Sequence, residues 1–223
     1  LEEPQAGIDR RTRGIILHRA LQGFWSETRS LAGLLALDPR SRGTRVAAHV
    51  DAALARELSA EMSERARLLE RDWQCRAIEN LLMIEQARPD FVVAEAERSM
   101  DCELGGLVLK LQVDRVDRVG DKLLIIDYKT GKATPKQWRG ARMDAPQLPL
   151  YAVLHPGKPS GLAVATVAAT GTRFRGVASE AGFIDNLLPA ARFEVTEDRQ
   201  KGFDWRQITG HWYAWLGQLA RNH

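Results

Sequence analysis

Apolar residues in the first third of the chain recur at three- and four-residue steps. Leu17, Leu21, Phe24, Thr28 and Leu31 form one stripe, which predicts a helix from 14 to about 37. Asp38-Pro39 and Gly43 interrupt it, and two further helical stretches are expected, 45 to 58 and 59 to 86. The period then falls to two. Residues 91–98, 106–119 and 122–129 read as three successive strands, the last two joined by a turn at Gly120-Asp121. Residues 131–140 read as a polar loop. A short helix is expected at 146–154, capped by Asp144 and closed off by Pro156. Strands follow at 162–170 and 174–179, and a last helix begins at Asp204, which has capping-box spacing to Gln207. This order predicts an α/β domain with a helical insertion, residues 38–89, after its first helix.

The rest of the composition narrows the class. With 223 residues, 44% hydrophobic and 27% charged, the chain can bury a sizeable core, and one domain spanning 1–223 is expected. No apolar run approaches the roughly 20 residues that cross a bilayer, so no membrane association is expected. The opening Leu1-Glu2-Glu3-Pro4 has neither an initiator Met nor an apolar signal core, and reads as the start of a piece excised from the C-terminal part of a larger polypeptide. The net charge of +3 is small, but its positive members are mostly arginines, whose planar fork suits phosphate oxygens. Cys75 and Cys102 match no C-x-x-C pattern and read as ordinary thiols of a cytoplasmic protein. They cannot assemble a zinc site or an iron–sulfur cluster.

Strand alternation brings out the chemistry. Lys110, Gln112 and Asp114 share the polar face of one strand, with Asp117 on the other side; Ile125, Asp127 and Lys129 share a face of the next. If the two strands are antiparallel neighbours, Asp114 and Asp127 converge on one divalent cation, for which Mg²⁺ with its preference for hard oxygen ligands is suited. Lys129 would then orient a water or steady charge on phosphorus, a set suited to phosphodiester hydrolysis. The competing reading makes Asp114, Arg115, Asp117 and Arg118 surface ion pairs, with Asp127 and Lys129 merely ending a strand.

The segments Val113-Asp114-Arg115-Val116-Asp117, Ile126-Asp127-Tyr128-Lys129-Thr130-Gly131 and Gln147-Leu148-Pro149-Leu150-Tyr151 resemble the signature blocks of the PD-(D/E)XK nuclease superfamily. They look most like the branch holding the nuclease domains of the RecB and AddB helicase–nucleases. The opening Gly14-Ile15-Ile16-Leu17-His18-Arg19-Ala20-Leu21 is similar to that branch's first helix, and the resemblance extends to about Leu154. It implies a restriction-endonuclease-like mixed central sheet flanked by helices. It implies that His18, Asp114, Asp127 and the main-chain carbonyl of Tyr128 ligate the metal, that Glu95 accompanies them, and that Lys129 is the catalytic lysine. Gln147 and Tyr151 would support the site and touch the DNA backbone. Glu97 would share the face of Glu95. The chain departs from the family where Gln112 stands in place of a glycine two positions before the motif aspartate, and where the cysteines of an AddB-type iron–sulfur cluster are missing.

What the resemblance implies is an Mg²⁺-dependent deoxyribonuclease, with Mn²⁺ able to substitute. An exonuclease is expected rather than a site-specific endonuclease, acting on DNA in repair or recombination beside a helicase-like remainder or subunit. Two other readings stand beside it: a silent nuclease-like module that binds DNA or braces a helicase, and a purely structural interaction domain. Arg139 and Arg142, with Arg173 and Arg175 on the late hairpin, are candidate phosphate contacts. Trp205, Ile208, Trp212, Trp215 and Leu219 form a helical stripe that reads as core, with base stacking as its functional alternative.

Overall fold

The computed structural model describes residues 8–131, 134–140, 143–196 and 198–221, apart from the side chains of residues 97 and 98. They fall into two compact units. The helical unit runs to Ala87 and includes Tyr128–Gly131 and Thr166–Arg173; the sheet unit comprises Arg88–Asp127, Lys132–Ala165 and the chain from Phe174 onward.

In the helical unit, each helix starts where a side chain accepts the first free amides. Asp9 accepts from Arg11 and Thr12 and opens α1 (Arg10–Thr28). The single helix expected over 14–37 is broken, because Arg29 turns into the left-handed region at φ 62° and Ser30 caps a separate α2 (Leu31–Leu35). Gly33 makes this break feasible: a Cβ there would lie 2.1 Å from the Thr28 carbonyl oxygen. Asp38 caps α3 (Pro39–Glu57), with Pro39 in its first turn. That helix therefore starts before the expected Arg45, and Gly43 lies inside it. Ser63 caps α4 (Glu64–Glu85).

A buried clamp ties α4 to the first turns of α1. Glu70 accepts from Arg13 Nε at 3.0 Å and Nη2 at 2.6 Å, and Gln74 Nε2 donates to the Arg13 carbonyl at 3.0 Å. Asn80 Nδ2 donates to the Ala169 carbonyl at 2.7 Å, and Val167 N–H to the Lys129 carbonyl at 2.8 Å. The segment after Asp127 is thus fixed within this unit from two sides.

The sheet is six-stranded, in the order β1-β2-β3-β4-β5-β6. β1 (Val92–Leu104), β2 (Leu107–Val119) and β3 (Lys122–Lys129) form an antiparallel meander. β1 carries a bulge between Val93 and Glu95. β4 (Gly161–Thr166) runs parallel to β3, since Ser160 bonds to Leu123 and Val167 to Lys129 in the same sense along both strands. β5 (Arg173–Ala178) returns antiparallel to β4 and pairs in parallel with β6 (Leu187–Pro189). The architecture is the mixed α/β sheet with helices that the sequence predicts.

Two expectations need correction here. α5 (Gln147–Leu154) has Pro146 at its N-cap and no side-chain cap, so exposed Asp144 does not play that part. The 131–140 loop also holds a short 3-10 helix, Pro135–Trp138, capped by Thr134, and Trp138 is buried. The final helix, α6 (Trp205–Arg221), does begin with a reciprocal box: Gln207 N–H donates to Asp204 Oδ1 at 2.7 Å and Asp204 N–H to Gln207 Oε1 at 2.8 Å. Its stripe is core. Trp212 is fully buried, its indole N–H donating to the Trp138 carbonyl at 3.0 Å, beside Phe193 and Ile208.

Candidate functional site

β2 and β3 are in a register that pairs Arg115 with Ile126 and Val116 with Ile125. The ladder ends at the Arg115–Ile126 pair; continued by one position, the same register would set Asp114 across from Asp127. Directly opposed residues share a face of an antiparallel pair, with Cβ atoms about 4.5–5.5 Å apart. Asp114 is 9% exposed and Asp127 1%. Two carboxylates facing each other with so little solvent repel strongly unless positive charge lies between them. Glu95 pairs with Val116 and so shares the face of Asp114.

Asp117, three residues on, is on the other face and does different work. Its carboxylate accepts from Arg115 Nε at 2.6 Å and Nη2 at 2.7 Å, and from Arg88 Nη2 at 2.8 Å. Both guanidiniums lie over the Phe91 ring, at 4.3 Å for Arg88 and 4.8 Å for Arg115. The sequence allowed Arg115 and Asp117 to be a surface pair; instead they are buried with Arg88, because their strand face is covered.

α5 crosses the face that carries the acids. Leu148, Tyr151 and Ala152 pack with Val116 and Ile125. The Tyr151 hydroxyl donates to the Gln112 carbonyl and accepts from Gln147 Nε2 at 2.6 Å. Burial raises the pKa of this phenol above its ordinary 10.0, and the charges of Asp127 and Asp114 push it further, against the hydrogen bond from Gln147. With only 2% exposure, Tyr151 supports the strand of Asp114 and does not itself present a hydroxyl to a DNA backbone. Exposed Gln147 remains able to do so.

At the other end of α5 is a residue the sequence reading missed. His155 is 4% exposed. Gly157 N–H donates to its Nδ1 at 3.1 Å, so the ring proton resides on Nε2, which donates to Glu95 Oε2 at 3.2 Å. Sequence gave one signal, its position four residues after Tyr151 and so on the same helical face. That spacing identifies a neighbour but not its target on β1.

In the helical unit, His18 Nε2 lies 2.9 Å from the main-chain oxygen of Tyr128. With the ring proton on Nε2 the imidazole donates to that carbonyl. With it on Nδ1, Nε2 carries a lone pair instead. Among the described residues, no three His, Cys, Asp or Glu side chains lie close enough to hold a metal ion. An ion held by one or two carboxylates, a carbonyl, waters and substrate phosphate needs no such group.

β3 carries Lys129 two residues after Asp127, half-buried and, by alternation, on the same strand face. In a comparison against protein families, the model described as the PD-(D/E)XK nuclease superfamily matches residues 1–208. The chain belongs to the PD-(D/E)XK nuclease superfamily. A search among curated proteins returns no match. As a member of that superfamily the chain is a nuclease fold, and nucleases of this superfamily typically use divalent metals.

The remaining candidates separate. Arg139 pairs with Glu194, so it is already engaged. Arg142 lies outside the described residues. Arg173 and Arg175 are exposed on β5. No helix among the described residues is long and apolar enough to cross a membrane.

Proposed function

We propose that this chain is a divalent-cation-dependent deoxyribonuclease whose cation is carried by Asp114 and Asp127. The observation that supports this best is the β2–β3 register, whose continuation would oppose those two nearly buried carboxylates, with Lys129 two residues on along β3. Bound there, Mg²⁺ (or Mn²⁺) supplies Lewis acidity and charge neutralisation for phosphodiester hydrolysis. The resemblance adds His18 and the Tyr128 carbonyl as further ligands, with Glu95 as an accompanying acid. The Lys129 ammonium donates hydrogen bonds to the attacked phosphate or aligns the incoming water. Tyr151 and Gln147 hold β2 so that Asp114 keeps its place. Arg173, Arg175 and Gln147 contact phosphate.

The motif blocks favour the RecB- and AddB-like branch, without an iron–sulfur cluster. With that branch go exonuclease action on DNA ends or single strands, a role in repair or recombination, a helicase-like remainder or subunit, and a cytoplasmic setting. The silent-module reading rested on Gln112. Its side chain is exposed and its carbonyl is taken by Tyr151, which weakens the idea that it obstructs the acids.

The test is metal-dependent degradation of linear DNA by the purified chain. Cleavage should vanish in Asp127→Ala and Lys129→Ala while circular dichroism and melting stay near wild type. Metal-dependent cleavage that survives both substitutions would refute the site. A folded wild type that binds DNA but never cleaves it, with either metal, would favour the silent module.

A further inference from the structure

α1 and α3 pack side by side in the helical unit, and an open trough runs along the line between them. It consists of two adjoining cavities, about 600 Å³ and about 280 Å³, that meet at His49. The first is lined by Arg40, Arg45 and Glu27, the second by Arg19 and Arg56. With Glu57, the partner of Arg19, counted in, four arginines stand against two glutamates, a local surplus of two positive charges.

We propose that this trough binds the sugar–phosphate backbone of single-stranded nucleic acid. Arginine forks match phosphate oxygens, and no Phe, Tyr or Trp lines either cavity, so recognition is chiefly through phosphate. The cations follow the line between two packed helices, so they meet a single row of phosphates. Arg40 and Arg56 are exposed, and neither has an ion-pair partner among the described residues. They mark the two ends, sixteen residues apart on α3, or about 24 Å at 1.5 Å per residue. That spans several nucleotides, a length typical of sequence-neutral single-strand sites.

The inner cations are held ready by acids that a phosphate can displace. Arg45 Nε lies 3.6 Å and His49 Nε2 3.3 Å from the Glu27 carboxylate, and Arg19 pairs with Glu57. Ion pairs this near the surface are weak, so a phosphate can replace the acid. Gly23 keeps the floor low beneath His49, since a Cβ there would lie 2.4 Å from His49 Nδ1. Arg19 directly follows His18 on α1, so a strand in the trough passes along the helix that bears the expected metal-binding histidine.

Fluorescence anisotropy of a labelled twelve-nucleotide oligo(dT) on the full chain in EDTA reads binding without cleavage. Wild type should bind with a steep salt dependence. In the Arg40→Ala/Arg56→Ala double variant the log–log slope should fall by about 1.4, from 0.7 per phosphate contact, and affinity at 50 mM salt by roughly 50-fold. Glu27→Gln should bind severalfold more tightly. Unchanged affinity and slope in a double variant that melts like wild type would overturn the proposal. So would polyglutamate competing as well as oligo(dT) at equal charge, which would make the trough a site for acidic peptides. Loss of the nuclease reading shows up elsewhere, as absent metal-dependent cleavage with these binding differences intact.

Discussion

Asp114 and Asp117 stand three residues apart in one motif, and the structure predicts opposite consequences for removing them. Asp117→Ala deletes the shared acceptor of two arginines whose side chains, like its own, are at most 1% exposed. Three hydrogen bonds of 2.6–2.8 Å disappear, and two cations stacked on Phe91 lose their common counter-charge. Breaking a buried ion pair by removing one partner costs about 3–5 kcal/mol, whereas an exposed pair costs less than about 1. For a chain of this size each kcal/mol moves the melting temperature by about 2–4 °C, so the expected drop is roughly 6–20 °C. Asp114→Ala removes one of two opposed carboxylates, and its melting temperature should stay within a few degrees of wild type or rise. Nuclease activity reverses the order: Asp114→Ala should be inactive at 20 °C, and Asp117→Ala should keep the activity of its folded fraction. Calorimetry and urea titration, run beside a metal-dependent cleavage assay, read all four values. An Asp117→Ala protein within 1 kcal/mol of wild type would refute the buried-triad argument. Equal stability losses in both would refute the division of labour between the two faces.

Tyr151→Phe leaves the Gln112 carbonyl without its hydroxyl donor and should cost about 1–3 kcal/mol by urea titration, with cleavage weakened through the altered setting of Asp114. Because the folded phenol pKa is raised above 10.0, its contribution is complete below pH 10 and is lost as pH rises through the folded value. The wild type should therefore lose stability in alkali more steeply than Tyr151→Phe, and identical profiles would count against this. His155→Ala removes the donor that positions Glu95; if Glu95 serves the cation, Mn²⁺ affinity by calorimetry should fall about 10–100-fold with little change in melting. Gly176→Ala places a Cβ 1.9 Å from the Leu162 carbonyl oxygen, a backbone atom that cannot step aside, and should cost about 1–3 kcal/mol or more. A fully stable Ala variant would mean that β4 and β5 are less closely apposed than described.

The features legible from sequence were those with a strict period. Alternation identified β2 and β3 and assigned Asp114 and Asp127 to one face, because side-chain direction in a strand follows parity alone. The cap pair Asp204 and Gln207 was equally readable, since its bonds are local. What escaped notice depended on distant contacts. Nothing around Arg115 or Asp117 tells that Arg88 and Phe91 will cover them, and the ordinary prior for charged residues is solvent. Arg29 carries no sequence mark of a left-handed turn; the break depends on Gly33 admitting the Thr28 carbonyl. Trp138 looked like part of a polar loop because one apolar residue among polar neighbours has no period to detect.

The parallel pairing of β3 with β4 explains why the block around Asp127 and the block from Gln147 to Tyr151 are far apart in sequence and yet lie on one face of the sheet. Parallel neighbours cannot be joined by a tight turn; the chain must cross over one face of the sheet, usually through a helix. Here the crossover carries α5 over the face that bears Asp114 and Asp127. Gln147, Tyr151 and His155, spaced by four, therefore line one side of a helix whose ends are bonded to β2 and β1. A histidine three or five positions after Tyr151 would point about 100° away from the direction of His155 and could not reach Glu95 as His155 does. The same helix thus fixes the position of an acid-bearing strand at one end and the orientation of a further carboxylate at the other.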